Sequence, residues 1–300
     1  MSRIYEALKK AAEEKASQPA ESSSQIFLNV TEGITRSAPV RNGPDAAPAN
    51  GRGNADNHSL VRFEQLLKRC AHPKWTLDPR MTVFGGTDSR KAGAEPFRTL
   101  RSRLSQIADT RTLKRILITS SVPAEGKTFV AANLAHSIIR QPNRRVLLID
   151  GDLRASRLHA ALGAPSAPGL TDYLGGEVDE YQVIQSGPDE KLCFIPGGHE
   201  VSNPSELLTS ERMKHLLDVV TPMFDFVILD SPPATPVHDP SLLADLCDGV
   251  LFVVRAGVTD FEVAEKAVAK FQEKNLLGVV LNAAERNAAY GQYYDYSPGS

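Results

Sequence analysis

RILITSSVPAEGKTFVAANLAHSII, residues 115–139, is a short β-rich apolar run, then a loop with one glycine, then a helical stretch. A loop of this kind turns successive backbone N–H groups toward phosphate oxygens, and the helix behind it adds its positive end. The loop follows the pattern G-x-x-x-x-G-K-[ST], with Ser121 at the position of the first glycine. Ser121, Val122, Pro123, Ala124, Glu125, Gly126, Lys127, Thr128 and Phe129 are the expected nucleotide-binding residues. Lys127 is expected to reach the terminal phosphates of ATP and Thr128 to ligate Mg²⁺.

Outward from this stretch the alternation repeats. Apolar runs at 115–119, 145–149, 192–195, 226–229, 250–254 and 279–281 are separated by helical stretches. Each is too short and too uniformly apolar to be half solvated, which predicts an α/β fold, a mostly parallel β-sheet flanked by helices on both faces. Ligands of such sheets bind at the carboxyl ends of the strands. Two runs end there in acids: RRVLLIDGDLR carries Asp150 and Asp152, and FDFVILDSPP carries Asp230. Mg²⁺ takes oxygen ligands and keeps several waters, so Thr128, Asp150, Asp152 and Asp230 form the expected metal set. Lys127, Asp150, Asp152 and Asp230 form the expected catalytic set. For any one Asp, a cap or turn is the alternative.

Ahead of the regular region, residues 1–15 read as a helix with Ile4, Leu8 and Ala12 at helical spacing, either solvated or docking on a partner. Residues 16–58 turn to Ser, Pro, Ala, Asn and Gly, too poor in large apolar groups to offset the entropy of ordering, and read as a flexible linker. Residues 59–92 read as a lead-in: a helix over 59–70 with Leu60, Phe63, Leu66 and Leu67 on one face, then loop or edge structure over 75–86. The α/β region spans 93–286 and a tail 287–300.

Composition bounds the function. A formal charge of −2 over 300 residues removes the electrostatic argument for nucleic acid as a partner. Cys70, Cys193 and Cys247 lack metal-ligand spacing and read as reduced thiols. No apolar run approaches the roughly 20 residues a membrane helix needs, which predicts a cytoplasmic chain that reaches the inner face of the plasma membrane through a partner. His136, His159, His199, His215 and His238 show no H-E-x-x-H spacing, and Ser231 lacks the G-x-S-x-G surround of a hydrolase nucleophile.

S-S-V-P-A-E-G-K-T, L-L-I-D-G-D-L-R and V-I-L-D-S-P-P together resemble the bacterial tyrosine kinases that accompany capsule and exopolysaccharide export, within the MinD and ParA-like ATPases. N-P-S-E-L-L at 203–208, G-L-T-D-Y-L at 169–174 and G-V-V-L-N at 278–282, ending in Asn282, fit the same pattern, with Asn282 joining the expected nucleotide-binding set. Glu95, Arg98 and Arg101 form the E-x-x-R-x-x-R that this family uses between subunits, and on a helix that spacing gives one broad face. The resemblance covers residue 93 onward, and the opening MSRIYEALKKA also looks like the start of exopolysaccharide-linked members. Ala124 stands where the family often has Gly; a positive φ there would strain the loop. Pro123 and Ala124, in place of the glycines of the KGGxGK version with its signature lysine, favour the kinase branch over partition ATPases.

The last eleven residues, YGQYYDYSPGS, hold Tyr290, Tyr293, Tyr294 and Tyr296, four of the seven tyrosines of the chain. Their Gly, Gln, Asp, Ser and Pro neighbours make burial of the rings difficult, so the tail reads as a phosphate acceptor or as an aromatic binding tail. A tyrosine hydroxyl has a pKa near ~10, so a carboxylate that takes its proton would assist transfer, and Asp152 is the expected base. Arg154 reads equally as a charge stabiliser for the transferring group or as a salt-bridge partner. The resemblance implies an ATP- and Mg²⁺-dependent tyrosine autokinase acting between copies of a homo-oligomer. It also implies activation by a membrane polysaccharide co-polymerase or chain-length regulator. A non-kinase positioning ATPase and a degenerate nucleotide-binding scaffold are the competing readings.

Overall fold

The computed structural model describes residues 52–84 and 88–284. In chain order these form α1 Arg52–Arg69, α2 Asp88–Thr110, β1 Arg115–Ser120, α3 Lys127–Ile139, β2 Val146–Asp150, α4 Leu158–Leu162, α5 Leu170–Gly175, β3 Gln185–Ser186 and β4 Leu192–Ile195. Then follow α6 Pro204–Leu208, α7 Glu211–Val220, a 3-10 turn at Thr221–Met223, β5 Phe226–Asp230, α8 Asp239–Ala244, β6 Gly249–Arg255, α9 Phe261–Ala269 and β7 Leu276–Asn282. The seven strands form one sheet in the order β3-β4-β2-β5-β1-β6-β7. All neighbours run parallel except β3 against β4.

The period of two along β1 explains the layering. Ile116 and Ile118 point to one face, where Phe97, Leu100 and Leu104 of α2 and Val130, Leu134 and Ile138 of α3 cover them. Leu117 points to the other, with Met213, Leu216, Leu217 and Val220 of α7 and Ala264, Ala267 and Val268 of α9. With apolar layers on both sides, a central strand has no solvent face, and β1 is buried from Ile116 onward and β5 along its whole length. The strand crossing point matters most for function. β5 lies between β1 and β2, with Asp150 opposite Asp230 and Ile118 opposite Asp230, so three strand ends meet at one carboxyl edge.

Three expectations need correction. α1 begins at Arg52, so residues 52–58 are helical rather than linker, and α2 begins at Asp88, ahead of the boundary at residue 93. Leu60 is 46% exposed, outside the buried face formed by Phe63 and Leu66, because the helix is rotated so that Phe63 stacks edge-on against Phe224. The two-residue β3 was not among the expected strands; it is too short to carry a pattern and gains its place by antiparallel pairing with β4 and a bridge to Ala71. The amino-terminal helix at 1–15, the linker up to residue 51, and Tyr290, Tyr293, Tyr294 and Tyr296 lie outside the described residues. No helix among the described residues is long and apolar enough to cross a membrane.

Candidate active site

Residues 121–128 leave the carboxyl end of β1 and close over the start of α3. The loop is tied to the segment after β5 by hydrogen bonds from Ala234 N to Ser120 O (2.7 Å) and from Thr235 N to Ser121 O (3.1 Å). Two residues have left-handed backbone, Ala124 with φ 67° and Gly126 with φ 91°. Gly126 is required twice over, because a Cβ there would lie 1.9 Å from Asn282 Nδ2. That amide donates to Glu125 O (2.8 Å), so Asn282, at the end of β7, buttresses the loop from below. α3 has no side-chain cap and no acid in its first turn, leaving its first amides available to an anion.

Glu125 does not face outward. Its buried carboxylate accepts from Val122 N (2.7 Å), Thr259 Oγ1 (2.6 Å) and Arg255 N (3.3 Å), pinning the loop to the turn after β6. Burial pushes its pKa up, and these donors oppose the rise. Glu125 therefore gives the phosphate cradle its backbone but not its side chain. Phe129 packs on Phe97, the rings tilted at 58° with centroids 6.0 Å apart.

Ala124 is exposed in its strained conformation. A left-handed alanine costs about 1–2 kcal/mol, while glycine gives back about 0.4–1 kcal/mol through the freer unfolded chain. Ala124→Gly is thus expected to stabilise the protein by about 0.5–1 kcal/mol, read as a rise of about 1–4 °C in melting temperature. A fall in melting temperature would show that the loop has relaxed around alanine.

The acids stand at the same edge. Lys127 Nζ donates to Asp152 Oδ2 (3.1 Å), and Thr128 Oγ1 donates to Asp230 Oδ2 (2.6 Å). Asp230 is 1% exposed, and its Oδ1 has no hydrogen-bond partner among the described residues. Burial pushes Asp230 up to about 7; the nearby Lys127 ammonium opposes this and the Asp150 carboxylate reinforces it. Burial would lower Lys127, but Asp230, Asp152 and Asp150 outweigh it and hold the ammonium above its ordinary range. An unpaired, buried carboxylate oxygen beside a hydroxyl fits a small divalent cation. Among the described residues no three His, Cys, Asp or Glu side chains gather tightly enough to hold a metal. Phosphate and water oxygens would therefore complete its shell.

A family model described as an AAA domain matches residues 114–263, which contain this loop and all three acids. The tyrosine-protein kinase YwqD of Bacillus subtilis is 34% identical over 215 residues, covering 70% of this chain and 90% of that protein. The chain belongs to the bacterial tyrosine-protein kinases. The tyrosine-protein kinase etk of Escherichia coli is 34% identical over 242 residues, 80% of this chain but 33% of that protein. The solved kinase domain of Escherichia coli ETK superposes with a TM-score of 0.64 at 28% identity, covering 83% of this chain and 97% of that one. This kinase thus spans nearly the whole of one relative and about a third of the other.

In this kinase several expected residues are engaged differently from the expectation. Asp150 accepts from Ser156 Oγ (2.7 Å), Leu158 N (3.0 Å) and Asp152 N (3.2 Å), so its oxygens hold the loop after β2 rather than lying open to a metal. Burial pushes Asp150 up to about 6, with the Ser156 hydroxyl opposing. Arg154 resolves to its salt-bridge alternative, with Nε 2.7 Å from Asp239 Oδ2. On α2, Glu95 and Arg98 pair at 2.7 Å and are 61% and 48% exposed. Arg101 leaves that surface and donates to Ser137 O (2.8 Å), docking α2 on α3. Thr259, Ser156, Ser205 and Asp239 were not among the expected site residues. Ser205 lies in N-P-S-E-L-L, which signalled it; for Thr259 the sequence carries no signal, because its partner is 134 residues away.

Proposed function

We propose that this chain transfers the γ-phosphoryl group of ATP to the tyrosines of its own tail, between copies, in the control of capsule or exopolysaccharide synthesis and export. The observation that carries this reading is the meeting of Lys127, Thr128, Asp152 and Asp230 at one sheet edge, beside a helix whose first turn has no side-chain cap. Membership in the tyrosine-kinase family supports the choice of tyrosine as acceptor.

Thr128 and Asp230 would hold Mg²⁺, which, when bound, neutralises charge on the phosphates. The loop amides and the start of α3 orient the triphosphate. Lys127 is close enough to Asp152 to hold it in the nucleotide-free protein. Once the ammonium turns to the phosphates, Asp152 is released as base. It takes the hydroxyl proton as the tyrosine oxygen bonds to the γ-phosphorus, and the bond to the β–γ bridging oxygen breaks to leave ADP.

Glu95 and Arg98 are placed on an exposed helix face where a second copy can dock, and Arg101 sets the angle of that helix. Each phosphotyrosine adds roughly −2 of charge, so a phosphorylated tail would repel its neighbours and loosen the assembly. A membrane co-polymerase or chain-length regulator is the proposed activator, with the segment at 1–15 as its contact and the inner face of the plasma membrane as the place of action.

Truncation before Tyr290 is the test. Loss of more than nine tenths of the incorporated label, with magnesium-dependent phosphate release retained, is the expected outcome, at roughly the tenfold or greater level that loss of an acceptor implies. Undiminished labelling of the truncated chain would put the acceptor elsewhere, and phosphate release with no labelling of the full chain would favour a positioning ATPase.

A further inference from the structure

The loop from Gly151 to Leu158 carries Asp152, and it is fixed at two points. At its base, Asp150 binds the loop through Ser156 Oγ (2.7 Å) and Leu158 N (3.0 Å). At its tip, Arg154 projects into a polar cluster built by two other elements. Its Nε and Nη2 donate to Asp239 (2.7 and 3.3 Å) and its Nη2 also donates to Ser205 Oγ (2.9 Å). Ser205 Oγ in turn donates to Asp239 Oδ1 (2.6 Å), which closes the cluster.

The cluster has the marks of a built device. The Asp239 side chain is 1% exposed while Arg154 is 42% exposed, so the acid is an interior anchor and the arginine reaches in to it. The two-pronged contact fixes the plane of the guanidinium, which a single lysine-like contact would not. Ser205 stands at the start of α6 and Asp239 at the start of α8, so three separate segments at the carboxyl edge of the sheet are joined. Inside the loop, Ala155 N donates to both Asp152 O (3.2 Å) and Asp152 Oδ1 (3.1 Å), so Arg154 sits within the turn that orients the Asp152 carboxylate. Arg154 is joined to Asp152 through Leu153 on one side and through the Ala155 amide on the other.

We infer that Ser205 and Asp239 are positioning residues for phosphoryl transfer, acting through Arg154 to hold Asp152 where it meets the acceptor hydroxyl. This rests on the tyrosine-transfer reading above. Among the described residues the side-chain hydrogen bonds of Ser205 and Asp239 run to Arg154 and to each other, not to the phosphate loop. The chemical step needs the base aligned to within a fraction of an ångström, and a misplacement of about 1 Å costs roughly a hundredfold in rate.

The test uses the full chain with Ser205→Ala, Ser205→Thr and Asp239→Asn. Three readouts are taken: label transfer to tyrosine at saturating magnesium-ATP, the dissociation constant for magnesium-ADP by calorimetry, and amide hydrogen exchange over residues 151–158. Ser205→Ala and Asp239→Asn are expected to lower the maximal transfer rate by roughly tenfold to a hundredfold and to speed exchange in that loop. The dissociation constant is expected to stay within about twofold, since the Ser205 and Asp239 side chains make their hydrogen bonds to Arg154 and to each other. Ser205→Thr, which keeps the hydroxyl, is expected to restore most of the rate. The double variant Ser205→Ala with Asp239→Asn is expected to lose less than the product of the single losses, because both act through one arginine. Normal transfer in Ser205→Ala, unchanged exchange, or a parallel loss of nucleotide affinity would each overturn the inference. A wild-type chain that places no label on tyrosine would instead overturn the functional reading, while faster exchange in the variants would still report the clamp.

Discussion

Lys127→Met is expected to reduce label transfer to tyrosine by about a hundredfold to a thousandfold, the loss seen when one preorganised charge donor is removed from a transfer site. Among the described residues, Lys127 is the cation hydrogen-bonded to the acids at the strand ends. Methionine matches the length of its stem, so packing changes little while the charge is lost. A second consequence follows from the same geometry. Without the ammonium, the buried Asp230 loses the cation that opposes its upward shift. Asp230 should therefore keep its proton to a higher pH in the variant than in the wild type. Transfer at the wild-type rate by a folded Lys127→Met chain would remove Lys127 from the chemistry.

Asp230→Asn is expected to lower magnesium-supported transfer by roughly a hundredfold, since the amide still meets Thr128 but brings no charge to the cation. It also has an opposite effect on stability that identifies the cause. Asp230 is raised to about 7 from 3.8, mainly by burial. The folded state then binds more protons than the unfolded state between those values, so the stability it contributes is complete below the lower one and is lost as pH rises through about 7. Asparagine has no proton to lose. In metal-free buffer the wild type should weaken relative to Asp230→Asn as pH goes from 5 to 8, read as a diverging pair of urea midpoints at roughly constant slope. A constant gap between the wild type and Asp230→Asn over that range would show the carboxylate to be charged and well paired, since neither the folded nor the unfolded state would then release a proton there.

The fold was legible because its deciding signals are local. β1, β2, β5 and β6 each carry an unbroken apolar run, and the loop, Lys127 and Thr128 lie in unbroken sequence. Asp150, Asp152 and Asp230 were visible at strand ends, and the parallel register of β2 on β5 is what brings two of them side by side. What each side chain does was not legible. Glu125 lies in the middle of the loop yet turns inward, because its partner Thr259 arrives from a turn 134 residues later. Asp150 and Asp152 are two residues apart and look interchangeable. Only the return of the chain at Ser156 and Leu158 commits the first to holding the loop and leaves the second against Lys127. Arg154 had two readings of equal standing, and the choice depended on Asp239, a residue 85 positions away that no local pattern could join to it. Arg101 shares a spacing with Glu95 and Arg98, but the packing of α2 on α3 turns it away from their surface.

Phosphate mapping by mass spectrometry bears most directly on the proposed transfer. The purified full-length chain is incubated with ATP and Mg²⁺, digested and sequenced by fragmentation. Phosphate on Tyr290, Tyr293, Tyr294 or Tyr296, present with wild-type protein and missing with Lys127→Met, is the expected result. Release of inorganic phosphate with every one of these tyrosines unmodified would contradict it.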